Sequence, residues 1–213
     1  TRQLASSPSA ASVTGSGAVN ATGIAVSSNN ASKIEDCEVS LDWGPGNDTV
    51  AIWLNAASST RIYDSALRAT AGVLAETSSS LDLQALKITS GRGVEFRNST
   101  GTVSSSLLRY SPPLSGTGYA YGIRLNNTFV GDYTVYSANN TILGHGAPAS
   151  QGLLSSIGAG GGTNSLHANS NLIQGWTSAT GEEVTAGSST FSISYSRYDV
   201  TPASGLLAGN ALL

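Results

Sequence analysis

The stretch CEVSLDWGPGNDTVAIWL, residues 37–54, carries the decision about the fold. Cys37, Val39, Leu41 and Trp43 alternate with Glu38, Ser40 and Asp42. That is the period of a strand with one buried side. Gly44-Pro45-Gly46-Asn47-Asp48 then supplies turn chemistry, because Gly tolerates positive φ and Pro fixes φ. Val50 to Leu54 is apolar on both parities, as a central strand would be. Strand, turn and strand together predict an antiparallel hairpin.

Outward from this hairpin the pattern stays β-like. Leu81, Leu83 and Ala85 alternate, and Val103 to Tyr110 reads as one strand stopped by Pro112-Pro113. Tyr119, Tyr121, Ile123 and Leu125 form one clear alternation, and Phe191, Ile193 and Tyr195 another. Asp64 to Glu76 is rich in Ala and Leu and predicts the one short helix. Gly158 to Gly162 reads as a hinge or loop, and no convincing internal repeat stands out. Many short strands between Gly, Ser, Asn and Pro turns predict an all-β, antiparallel sandwich of jelly-roll type.

Three regions are expected. Residues 1–32 hold one ionisable side chain, Arg2, and read as an extended N-terminal arm. Val13, Val19, Ile24 and Val26 are the arm's candidate subunit contacts. Residues 33–201 are the sandwich body. Residues 202–213 are an apolar tail, where Leu206, Leu207, Leu212 and Leu213 would dock on the domain or on a neighbour.

Charged residues are only 11% of the 213 positions, against about 25% in ordinary globular chains. Thirty-five Ser and 20 Thr replace them as solvating groups. A hydrophobic share of 39% and a net charge of −3 argue for an ordered body. The 8 Arg and 2 Lys are scattered, so no basic patch favours nucleic acid. No apolar run is long enough to span a membrane as a helix. The chain has no Met, and a removed signal segment is one explanation for its first residue. Cys37 is the single cysteine, flanked by Glu35, Asp36 and Glu38, charges that oppose thiolate formation. It reads as a buried thiol, with an intermolecular bridge or a reactive group as alternatives.

Six Asn-x-Ser/Thr sequons occur, at Asn20, Asn30, Asn47, Asn98, Asn126 and Asn139. They are the candidate sites for covalent N-glycans on a secreted surface. Catalytic signals are poor. His145 and His167 sit in Gly/Ala/Asn-rich segments, and no Gly-x-Ser-x-Gly elbow appears. Glu182-Glu183 reads as a solvated pair, and Asp42 with Asp48 offers too few oxygens for calcium. No cofactor, metal or catalytic residue is predicted, and the chain reads as a non-enzyme. Trp43, Trp53 and Trp176 would be sugar-stacking candidates in a carbohydrate-binding protein.

With its uncharged arm Ser12 to Val26, hydroxyl-rich body and scattered sequons, the chain resembles subunits of extracellular donor-strand filaments, such as threads and bundling pili. That resemblance implies a jelly-roll-like subunit, a donor strand, self-assembly into a homopolymer at the cell surface, and glycosylation. The long apolar N-terminal helix of type IV pilins is absent. A viral jelly-roll coat protein and a secreted carbohydrate-binding or hydrolytic sandwich are the alternatives.

Overall fold

A computed structural model describes residues 11–15, 20–27, 31–41, 48–78, 80–111, 120–145, 150–200 and 209–212. The described residues form strands and turns with no helix, and every strand pairing is parallel. The chain winds as a three-sided solenoid, visiting faces A, B and C in turn.

Face A stacks β1 (Ala11–Gly15), β4 (Cys37–Leu41), the first half of β7 (Ala66–Glu76), the first half of β9 (Lys87–Arg97), β11 (Leu107–Tyr110), β14 (Thr141–Leu143), β17 (Leu172–Gln174), β20 (Arg197–Tyr198) and β21 (Ala211–Leu212). Face B stacks β2 (Asn20–Ser27), β5 (Asp48–Asn55), the second halves of β7 and β9, β12 (Tyr121–Asn127), β15 (Gln151–Ile157) and β18 (Ser178–Val184). Face C stacks β3 (Lys33–Glu35), β6 (Arg61–Tyr63), β8 (Leu81–Gln84), β10 (Gly101–Ser104), β13 (Asp132–Ala138), β16 (Thr163–Asn169) and β19 (Ser188–Ser194). Strands β7 and β9 run through the A–B corner, so A and B make one 14-stranded sheet; C is a 7-stranded sheet.

This overturns the antiparallel sandwich. The predicted 37–54 hairpin is two strands, β4 and β5, on different faces, each paired in parallel with other coils. The predicted helix at Asp64–Glu76 is β7. Its alanines are small for a packing reason, since Ala75 lies in register between Leu54 and Phe96. Val103 to Tyr110 is not one strand but β10 and β11, with a corner at Ser105-Ser106. Residues 11–15 and 20–27, read from sequence as part of an arm, pair with β4 and β5 of the same chain.

The core is a set of columns. On face A, Val39, Leu67, Ile88, Leu108, Ile142, Ile173 and Tyr198 stack in register and are buried. On face B, Ile24, Ile52, Val73, Val94, Ile123 and Leu153 do the same, with Ile24 partly buried. On face C, Ile34, Ile62, Leu83 and Val103 continue the interior. Each coil alone cannot bury its apolar side, and stacking makes one continuous core.

Two corners explain how the chain turns. At the C–A corner Asp36, Asp64, Ala85, Ser105, Asn139, Ser170 and Tyr195 all have positive φ. A residue without a left-handed preference is strained there by about 1–2 kcal/mol. The following residue points inward and offsets this with a hydrogen-bond ladder. The N–H of Cys37 donates to Ser65 Oγ at 3.2 Å, that of Leu86 to Ser106 Oγ at 3.0 Å and that of Ser106 to Asn140 Oδ1 at 2.9 Å. Further on, Asn140 N–H donates to Asn171 Oδ1 at 3.0 Å, Asn171 N–H to Ser196 Oγ at 3.1 Å and Ser196 N–H to Asn210 Oδ1 at 2.9 Å.

At the A–B corner the sequence shows TGIAV at 22–26, VAIWL at 50–54, AGVLA at 71–75, RGVEF at 92–96, YGIRL at 121–125 and QGLLS at 151–155. The second residue of each faces inward against the next coil. A Cβ on Gly72 would meet Gly93 O at 2.6 Å, one on Gly93 would meet Gly122 O at 2.2 Å, and one on Gly122 would meet Gly152 O at 2.6 Å. The chain does contain an internal repeat. Its period is 21 residues from Gly72 to Gly93 but 29 from Gly93 to Gly122, because the A–B connections differ in length.

Candidate functional site on the outer side of face B

The connections between A and B are where the coils vary. β7 and β9 pass from A to B without a break, whereas ten residues separate Tyr110 from Tyr121. In repeat proteins such insertions gather on the side that carries function. The outer side of face B lies beside this variable corner, and it holds the densest set of charges among the described residues.

Glu95 is central to it. Its side chain points away from the coil interior, next in sequence to inward Val94 and Phe96, yet only 4% of the residue is exposed. The carboxylate accepts from Tyr121 O–H at 2.5 Å, Asn126 Nδ2 at 2.9 Å, and Arg97 Nε and a terminal Arg97 nitrogen at 3.2 and 3.1 Å. Burial pushes the Glu95 carboxyl up. The hydrogen bonds from Tyr121 and Asn126 and the charges of Arg97 and Arg124 outweigh that, so it lies below the ordinary carboxylate value. Burial, the Glu95 charge and the hydrogen bond to Glu95 all push the Tyr121 phenol up, far above its ordinary value.

Neighbouring coils extend the network. Arg97 also pairs with Glu76 at 2.6 Å, and Trp53 Nε1 donates to Glu76 at 2.7 Å. Arg124 Nε donates to Ser156 Oγ at 3.1 Å, and Ser156 Oγ donates to Glu183 at 3.0 Å. Arg124 lies 3.6 Å from Glu183 and stacks over the Tyr121 ring. Arg92 pairs with Asp48. Leu154, on the same outer side, is fully buried. The arrangement links coils through charge-assisted hydrogen bonds. A Glu95 held ionised by four donors is set up to anchor, not to give a proton at neutral pH.

The residues singled out from sequence are scattered. Asn98 is buried at positive φ, with Nδ2 donating to Thr128 Oγ1 at 2.7 Å and Oδ1 accepting from Thr128 N–H at 2.7 Å. A glycan on Asn98 requires that these bonds break. Asn126 belongs to the Glu95 network, and Asn139 is exposed at the C–A corner. Asn20 lies in β2; Asn30 and Asn47 lie outside the described residues. Of the candidate contacts, Ile24 and Val26 pack on the core, Val13 lies in β1, and Leu212 in β21 is 62% exposed. Val19, Leu206, Leu207 and Leu213 lie outside the described residues, as do Asp42 and Trp43.

Cys37 is buried, and its thiol contacts the Glu35 carbonyl at 3.2 Å. Trp176 is buried, with Nε1 donating to Ile142 O at 3.1 Å. His167 stacks on Tyr136, with Nδ1 2.6 Å from Ser192 Oγ, and His145 meets Arg109 Nε at 3.3 Å. Among the described residues no group of three or more His, Cys, Asp or Glu could hold a metal ion. Sequence reasoning missed Glu76, Glu95, Arg97, Tyr121 and Arg124. Their signal was the shared place in the repeat RGVEFR, YGIRLN and AGVLAE, visible only once the coils are aligned.

No protein-family model matches the chain, and no curated protein sequence matches it. Among solved structures it is similar to the tailspike protein gp49 from Pseudomonas phage LKA1, at 12% identity and a TM-score of 0.33. The match covers 96% of this chain and 49% of that one, so this chain spans about half the length of that neighbour.

Proposed function

We propose that this chain is a rigid, non-catalytic solenoid module of an extracellular assembly, working by the surface it presents. The observation that carries this reading is the state of Glu95. The most buried carboxylate of the outer network is depressed, saturated with donors and tied to a phenol, which suits a structural anchor and not an acid–base pair. The hydroxyl-rich, weakly charged composition and the exposed Asn139 sequon support a secreted setting. Parallel coils with in-register ladders give the stiffness a shaft or stalk needs.

The test is electron microscopy of protein purified from its natural source without denaturant. Ordered multi-copy assemblies are expected. Dispersed single chains that turn over a glycan substrate would overturn the proposal.

One observation favours a second reading, binding of a neutral glycan. The outer side of β13, β16 and β19 presents Thr134, Tyr136, Ser165, His167, Thr190 and Ser192, a hydroxyl and aromatic strip whose ionisable neighbours are the His167 imidazole and, at the start of β13, the exposed Asp132. Glycan-array binding that is lost on Tyr136→Ala would support it.

A further inference from the structure

Basic residues that lie apart in the sequence meet on the outer side of face A. Arg68 on β7, Lys87 on β9 and Arg109 on β11 stand on three successive strands, and all three are exposed. Arg68, Thr89 and Arg109 share one register row, and Lys87 lies on the middle strand two residues before Thr89. Inward Leu67, Ile88 and Leu108 are buried, which turns their neighbours in sequence to solvent. Strands in a sheet are about 4.8 Å apart, so this stretch carries one cation per strand spacing along the solenoid axis.

Pairing sets the row apart from face B. There Arg92 meets Asp48, Arg97 meets Glu76 and Glu95, and Arg124 meets Glu183. Among the described residues Lys87 and Arg109 pair with no carboxylate. Arg109 Nε instead donates to His145 Nε2 at 3.3 Å, which steadies the guanidinium. The acids of face A stand at its margins, Glu38 on β4, Asp64 at the corner before β7 and Asp199 after β20.

We infer that this row binds an acidic polysaccharide, a linear glycan bearing carboxylates, laid along the solenoid axis. Charge complementarity selects an anion, because a chain of net charge −3 presents a local excess of positive charge here. Spacing selects the kind of anion. A nucleic-acid duplex carries one charge per about 1.7 Å and each of its strands one per about 3.4 Å. One cation per strand spacing is sparser than either, and three neutralise too few phosphates to hold such a ligand. The outward residues here, Ala66, Arg68, Lys87, Thr89, Leu107 and Arg109, also include no aromatic ring for a base to stack on. An acidic glycan sets its carboxylates a sugar ring or more apart, with hydroxyls and C–H groups between them, and Thr89 and Leu107 lie between the cations to meet these. The inference rests on the reading of the chain as an extracellular module that works by its surface, and names a ligand and a face for it.

Affinity electrophoresis of the full chain in native gels containing polygalacturonate tests it. The wild type is expected to be retarded, and less so as salt rises. Fully methyl-esterified polymer, the same backbone without charge, is expected to leave it unretarded. Lys87→Glu with Arg109→Glu is expected to weaken binding by about tenfold. Lys33→Glu with Arg61→Glu, the same change of charge on face C, is expected to retain it. All four side chains are exposed, and unchanged circular dichroism shows that both variants fold. A wild type that is not retarded, or an equal loss in both variants, overturns the inference and leaves the module reading standing. Polyglutamate or duplex DNA held as tightly as polygalacturonate overturns the choice of a glycan. Polymer that is bound through the row and shortened supports the row and overturns the non-catalytic reading.

Discussion

Asn140→Ala is the most informative substitution in the C–A ladder. Asn140 is 2% exposed, and its side chain makes three hydrogen bonds. Oδ1 accepts from Ser106 N–H at 2.9 Å, while Nδ2 donates to Val103 O at 2.8 Å and Ser137 Oγ at 3.0 Å. Each bond is worth about 1 kcal/mol net, and leaving a buried donor unpaired adds about 1–3 kcal/mol. The expected loss is about 4–6 kcal/mol. Asn139→Ala is the internal control. It removes the adjacent amide, which is exposed, and costs about 1 kcal/mol through its φ of 56°. Urea titration followed by circular dichroism and by tryptophan fluorescence reads both, since Trp176 donates to Ile142 two residues from Asn140. Losses within about 1 kcal/mol of each other would refute the ladder as a source of stability.

Gly93→Ala places a Cβ 2.2 Å from Gly122 O and 3.0 Å from Leu108, so it is expected to cost about 1–3 kcal/mol or more, read as a lowered urea midpoint. Phe96→Ala empties a fully buried site beside Ala75 and Leu125 and is expected to cost about 3–5 kcal/mol in the same assay. Glu95 has a folded value below the ordinary 4.5, so its contribution is present above that pH and is lost as pH falls through the depressed value. Melting temperature should therefore drop in acid, and Glu95→Gln should be less stable near neutrality yet show a flatter acid decline. Peptide mapping of source-purified protein should find glycan on Asn139 and none on Asn98, where the amide is engaged.

Strand character was legible in the sequence, and strand direction was not. The alternation of Val39 and Leu41 places both inside, as expected. Nothing local tells whether the following strand pairs with its predecessor or with the next coil, and the turn residues at 44–48 favoured a hairpin. The Ala-rich Asp64–Glu76 stretch misled because alanine there answers to Phe96 across the coil, a contact 21 residues away. The repeat was hidden by connections of unequal length at the A–B corner. The Glu95 network was hidden for the same reason, since its members meet only when RGVEFR stacks on YGIRLN.

The parallel coil itself is most directly tested by a cysteine pair. Thr134 and Ser165 are cross-strand partners on β13 and β16, and strands in a sheet lie about 4.8 Å apart, within disulfide reach. Thr134→Cys with Ser165→Cys is predicted to form an intramolecular disulfide on mild oxidation, read by mass spectrometry. Thr134→Cys with Asn169→Cys, four residues out of register, is predicted to stay reduced. Bridging in the second pair and not the first would contradict the solenoid.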